Sequence, residues 1–149
     1  MAQPLSSPRS AISVLVADDH QLLRDMMGEL LHQEGDMSID MASDLPSTLD
    51  KIRENGAYDV VLLDYLMPGV HGLDGVRQAI EANAPNPVVL ISGNITRDKV
   101  NEAMAIGVRG YIPKTLAAKS LAHAIRFVAA GETFVPLSFL NGASDTSAE

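Results

Sequence analysis

Five short apolar runs alternate along this chain with helical patterns, and four of them stop on polar residues. Ile12–Ala17 stops at Asp18-Asp19, Tyr58–Leu63 at Asp64, Pro87–Ile91 at Ser92, and Val108–Pro113 at Lys114; Met37–Ala42 is the fifth run. Asp59–Leu63 and Val88–Ile91 are almost wholly aliphatic, as in strands covered by helices on both faces. Between the runs, apolar residues recur at helical spacing. The first set is Leu22, Leu23, Met26, Met27, Leu30 and Leu31, followed by Leu45, Leu49 and Ile52. Leu73, Val76, Ala79 and Ile80 come next, then Val100, Ala103 and Met104, then Leu121, Ile125 and Val128. Asp44-Leu45-Pro46 and Thr96 read as helix starts, Gly56 and Gly107 as stops. The pattern is (βα)5.

Such alternation predicts an α/β fold, a doubly wound parallel sheet with right-handed crossovers. The flavodoxin-like strand order 2-1-3-4-5 is expected for five units. At 149 residues there is room for one domain, expected over 11–132. Residues 1–10, polar and Pro-containing, read as a disordered extension rather than a secretory signal. Residues 133–149 read as a short apolar coda followed by a flexible tail or linker. No apolar stretch approaches the ~20 residues that span a bilayer. With no cysteine, disulfides, thiolate chemistry and cysteine-ligated zinc are excluded, which is compatible with the cytoplasmic location expected of this chain. The net charge of −8, without a basic stripe, argues against nucleic-acid contact by these residues.

In a parallel sheet, the polar strand ends share one edge, where open α/β sheets bind ligands. Each has an ordinary explanation taken singly. Asp19 is a natural helix cap, Asp64 and Ser92 suit turns, and Lys114 suits a solvated loop. Together they suggest chemistry. Three carboxylates in close quarters repel unless a cation sits among them. A hard divalent ion fits, with Mg²⁺ usual beside phosphate. An aspartate can take a phosphoryl group as an acyl phosphate, with a hydroxyl and an ammonium on the phosphoryl oxygens. No side chain in the set is an evident base for water, so storage is expected over rapid hydrolysis.

Four segments carry a resemblance: Val14-Leu15-Val16-Ala17-Asp18-Asp19-His20, Leu63-Asp64-Tyr65-Leu66-Met67-Pro68-Gly69, Ile91-Ser92-Gly93 and Gly110-Tyr111-Ile112-Pro113-Lys114. From about Ile12 to Gly131, the chain resembles the receiver domain of two-component response regulators. The resemblance implies Asp64 as phosphoacceptor for a sensor histidine kinase. It implies Mg²⁺ (or Mn²⁺) held by Asp19 and Asp64, by Asp18 through water, and by the Leu66 backbone carbonyl. Ser92 and Lys114 would bind the phosphoryl group, and Tyr111 would be the aromatic that swings inward; the ordinary alternative is a strand tyrosine with its hydroxyl at the surface. The Asp18-Asp19-His20 opening, the Gly110–Lys114 segment and Ala129-Ala130-Gly131-Glu132 are most similar to the nitrate-regulator-type subfamily. That subfamily carries a C-terminal helix-turn-helix module. The implied output is transcription through such a module in a longer parent protein, with homodimerisation on activation. A stand-alone receiver acting by protein contact is the alternative.

Two residues depart from the common pattern. Thr115 follows Lys114 where many receivers have proline with a cis bond, so the sequence leaves the isomer of the Lys114–Thr115 peptide open. Leu66 cannot hydrogen-bond an attacking water, so a long-lived phosphorylated form is expected. Two rival classes fit less well. A Mg²⁺-dependent phosphatase of the haloacid-dehalogenase type uses Asp-x-Asp, and Asp64-Tyr65-Leu66 lacks the second acid. A nucleotide binder needs a phosphate loop after the first strand, where Asp18-Asp19 would repel the ligand; Gly69, Gly72 and Gly75 do not form the dinucleotide fingerprint. The four histidines follow no metal-ligand spacing and read as surface or helix-flank residues.

Overall fold

The computed structural model describes residues 11–116 and 118–136. Five strands, β1 (Ile12–Ala17), β2 (Met37–Ala42), β3 (Val60–Asp64), β4 (Val88–Ser92) and β5 (Tyr111–Pro113), alternate with five helices. The helices are α1 (Gln21–His32), α2 (Leu45–Asn55), α3 (Leu73–Asn83), α4 (Arg97–Ala105) and α5 (Ala118–Ala129). All strand pairs are parallel, in the order β2-β1-β3-β4-β5, as expected.

Because side chains alternate across a strand, each central strand feeds two cores. Leu15, Ala17, Val61, Leu63, Val88 and Leu90 face α2, α3 and α4, meeting Leu45, Ile52, Val76, Ala79, Val100 and Ala103. Val14, Val16, Val60, Leu62, Val89 and Ile91 face α1 and α5, meeting Met27, Leu31, Leu121, Ile125 and Val128. This double coverage is why β1, β3 and β4 are continuous apolar runs.

The helix starts follow local chemistry. Asp44 caps α2, accepting from Ser47 N at 2.8 Å, and the Ser47 hydroxyl accepts from Asp44 N in return. Thr96 caps α4 through Lys99 N at 3.2 Å. At α1 the cap position falls to His20, with no side-chain cap bond, so Asp19 does not spend its carboxylate there.

Three details differ from the sequence reading. Leu22 and Met26, expected on the buried face of α1, are 75% and 51% exposed. Successive helical residues turn by about 100°, and the sheet-facing stripe runs instead through Leu23, Met27 and Leu31. Strand β5 begins at Tyr111 rather than Val108, although Leu90 N still bonds Gly110 O at 3.0 Å. Beyond residue 132 the chain returns to the sheet, where Phe134 bridges Gly110 and packs on the α1/α5 core. Residues 1–10, expected to be disordered, and 137–149, expected as coda and tail, lie outside the described residues. The cis peptide bond among the described residues is Ala84–Pro85; Lys114–Thr115 is not cis. No helix among the described residues is long and apolar enough to cross a membrane.

Candidate phosphoryl and cation site

The parallel register brings the ends of β1, β3, β4 and β5 to one edge of the sheet. Asp18, just past β1, is buried, as are Asp64 at the end of β3 and Ser92 at the end of β4. Asp19 faces solvent. Lys114 reaches back from the end of β5, placing Nζ 2.9 Å from Asp18 Oδ2 and 3.1 Å from Asp64 Oδ2. The other Asp64 oxygen, Oδ1, accepts from Leu66 N at 3.0 Å. Asp18 Oδ1 accepts from His20 N at 2.8 Å, and Arg24 Nη1 donates to the Asp18 carbonyl at 2.6 Å.

Burial pushes the Asp64 carboxyl above the usual carboxylate range; the Leu66 amide and Lys114 only partly offset it, and Asp18 adds repulsion. Burial alone would lower the Lys114 ammonium, but its bonds to Asp18 and Asp64 outweigh burial and hold it above its ordinary value. One ammonium therefore serves two buried carboxylates.

The donor set suits a divalent cation. One ligand atom each from Asp18, Asp19, His20 and Asp64 lies within 4.8 Å of all the others. Asp18 Oδ2 is fully buried, and its one partner among the described residues is the Lys114 ammonium. The Leu66 side chain is 64% exposed, while its amide faces Asp64.

Ser92, Tyr111 and Lys114 form a second linked group. The Ser92 carbonyl accepts from Lys114 N at 3.2 Å and from the Tyr111 hydroxyl at 3.0 Å. Tyr111 is buried, and that burial raises its phenol pKa. The tyrosine thus points inward, not with its hydroxyl at the surface. The Ser92 hydroxyl accepts from Asn94 N at 3.2 Å, in the loop leading to α4.

His20 is exposed at the start of α1, as expected of a surface or helix-flank residue, yet it also lies against the acidic pair. Its Nδ1 lies 3.0 Å from Asp18 Oδ1 and 3.3 Å from Asp19 Oδ1. Direct adjacency to an acidic pair was the available signal. Beside the site, His20, Leu22, Leu23, Met26 and Lys114 line an open apolar depression of about 300 Å³.

A family model described as the response regulator receiver domain matches residues 14–126. The chain is 38% identical over 126 residues to the transcriptional regulatory protein CutR of Streptomyces coelicolor, covering 83% of this chain and 56% of CutR. It thus spans little more than half of that relative. A LuxR family DNA-binding response regulator from Silicibacter pomeroyi superposes with a TM-score of 0.74 at 30% identity, covering 85% of this chain and 98% of that one. The signal receiver domain of a NarL response regulator from Mycobacterium tuberculosis gives 0.74 at 28% identity, covering 83% and 99%.

Proposed function

This chain belongs to the response regulator receiver domain family of two-component systems, and on that premise we propose that Asp64 takes a phosphoryl group from a sensor histidine kinase. The observation that carries the reading is the convergence of Asp18, Asp19, Asp64 and Lys114 at one sheet edge. An Asp64 carboxylate oxygen attacks phosphorus, the phosphorus–nitrogen bond to the donor imidazole breaks, and that imidazole keeps the electron pair and takes up a proton. The product is an acyl phosphate.

Asp19, Asp64 and the Leu66 carbonyl, with Asp18 through water, would hold Mg²⁺ (or Mn²⁺), which would supply charge neutralisation on the phosphoryl oxygens. Lys114 exchanges a carboxylate partner for a phosphoryl oxygen, acting as a point charge. The Ser92 hydroxyl, now held by Asn94 N, donates to another oxygen and draws the loop toward α4 with it. Tyr111, tied to the Ser92 carbonyl, transmits that shift to β5. Moving a conformational equilibrium from 1:99 to 99:1 requires about 5.5 kcal/mol of differential stabilisation, part of which these bonds contribute.

We place the core of the domain at 11–132, and the bridge from Phe134 to Gly110 supports extending it by the next few residues. It is not an enzyme beyond its own phosphorylation and slow dephosphorylation. Activated homodimers act in the cytoplasm on transcription, and DNA is contacted by a module in the remainder of a longer protein. That reading draws on the regulators it resembles.

The test is incubation with a small acyl-phosphate donor and Mg²⁺, followed by intact mass. A gain of one phosphoryl group, absent in Asp64→Asn, is expected; an equal gain in the variant would overturn the assignment. Decay of the loaded form is a second readout. Because Leu66 offers water no hydrogen bond, Leu66→Asn should shorten the half-life roughly tenfold, equivalent to about 1.4 kcal/mol off the barrier. Slower decay in the variant counts against this role.

A further inference from the structure

We propose that His20 contributes an imidazole nitrogen to the cation site and turns its preference from Mg²⁺ toward first-row transition ions such as Mn²⁺ and Co²⁺. The inference rests on the reading of Asp18, Asp19 and Asp64 as a cation site and concerns which ion that site selects. His20 occupies the cap position of α1 in extended backbone conformation (φ −91°, ψ 106°), without capping the helix. Its ring instead leans over the carboxylates, with Nδ1 3.0 Å from Asp18 Oδ1, 3.3 Å from Asp19 Oδ1 and 3.4 Å from Lys114 Nζ. One ring nitrogen of His20 and one carboxylate oxygen each of Asp18, Asp19 and Asp64 lie within 4.8 Å of one another.

Imidazole chemistry gives that placement a consequence. In the tautomer protonated at Nδ1, the ring donates to Asp18; with the proton on Nε2, Nδ1 presents a lone pair to the same space. The side chain is 66% exposed, so water can carry the proton between the two nitrogens and the ring can turn. Mg²⁺ keeps to oxygen ligands and waters, and gains little from a nitrogen. Mn²⁺, Co²⁺, Ni²⁺ and Zn²⁺ accept imidazole, with affinity generally rising along that series as far as Ni²⁺. A site with three carboxylates alone ranks these ions mainly by charge and size. Adding Nδ1 widens the gap. The ordinary reading, that His20 merely hydrogen-bonds Asp18, predicts no change in selectivity when the ring is removed.

Calorimetric titration of the whole chain with Co²⁺ and with Mg²⁺, in wild type and His20→Gln, separates the two. The preference for Co²⁺ over Mg²⁺ is expected to fall about tenfold in the variant, one decade in the ratio of dissociation constants. Pulsed EPR of bound Mn²⁺ is the direct readout. A directly coordinated ¹⁴N signal should be present in wild type and absent in His20→Gln. Divalent binding without that signal, or a signal that survives in the variant, overturns the role of His20 while leaving the cation site standing. Failure of every divalent ion to bind overturns both.

Discussion

Replacing Lys114 with methionine should cost the ion-free protein about 3 kcal/mol of stability at neutral pH, and Mg²⁺ should return a large share of it. The methionine keeps most of the apolar stem and removes the charge. Asp18 and Asp64, both buried, then face each other without their shared ammonium. Breaking a buried pair by removing one member typically costs about 3–5 kcal/mol, and the partial exposure of Lys114 argues for the lower end. Urea unfolding in EDTA measures the loss. A divalent ion fills the vacated electrostatic role, so the shift of midpoint with added Mg²⁺ should be larger in the variant than in wild type. In wild type the ammonium already occupies those oxygens, so a smaller shift is expected.

The pH response carries its own sign. The Asp64 carboxyl has a raised pKa in the folded state, so between its unfolded and folded values the native protein binds more protons than the unfolded chain. Stability attributable to Asp64 therefore improves as pH falls through the folded value. Removing the ammonium widens that window, and Lys114→Met should recover on mild acidification. Lys114 in wild type works oppositely. Its folded pKa lies above its unfolded one, so its contribution is complete at neutral pH and fades only as pH rises through the folded value. A loss below about 1 kcal/mol, the scale of exposed ion pairs, would show that solvent already screens the cluster.

The fold was legible because a doubly wound sheet leaves a strong imprint. Val60–Leu63 and Val88–Ile91 are covered on both faces, and that burial selects unbroken aliphatic runs. The strand ends were legible as a site because parallel topology alone brings them to one edge. Side-chain direction was less so. The apolar residues of α1 span more than one stripe, and periodicity could not tell that the sheet accepts Met27 and Leu31 but leaves Leu22 and Met26 outside. The return of Phe134 to Gly110, beside the start of β5, is a long-range contact with no local signal. His20 was hidden for a related reason. Ligand motifs are recognised by spacing along an element, whereas this imidazole reaches the carboxylates from the turn directly after them.

Gly75→Ala should destabilise the protein by about 2–3 kcal/mol, reversing the usual sign of a helical glycine-to-alanine change. In an ordinary helix interior that substitution gains up to about 1 kcal/mol. Here Gly75 lies in the first turn of α3, and a Cβ would overlap the Val70 backbone, its carbonyl oxygen first. A backbone wedged in a core cannot rotate away as a side-chain tip can, and overpacking costs about 1–3 kcal/mol or more. Val70 is fully buried, and its amide bonds Met67 O at 3.2 Å, while Pro68 O accepts from Leu45 N at 3.0 Å. Displacing Val70 therefore strains the same loop whose Leu66 amide holds Asp64 Oδ1, and phosphoryl uptake should fall with stability. Gly28→Ala is the matched control. Its Cβ would meet only the Met41 terminal methyl, the far end of a flexible side chain, so no loss or a small gain is expected. Urea midpoints of the two variants against wild type decide the matter: a Gly75→Ala protein as stable as Gly28→Ala would mean that the loop yields freely, and that Gly75 is not what holds it.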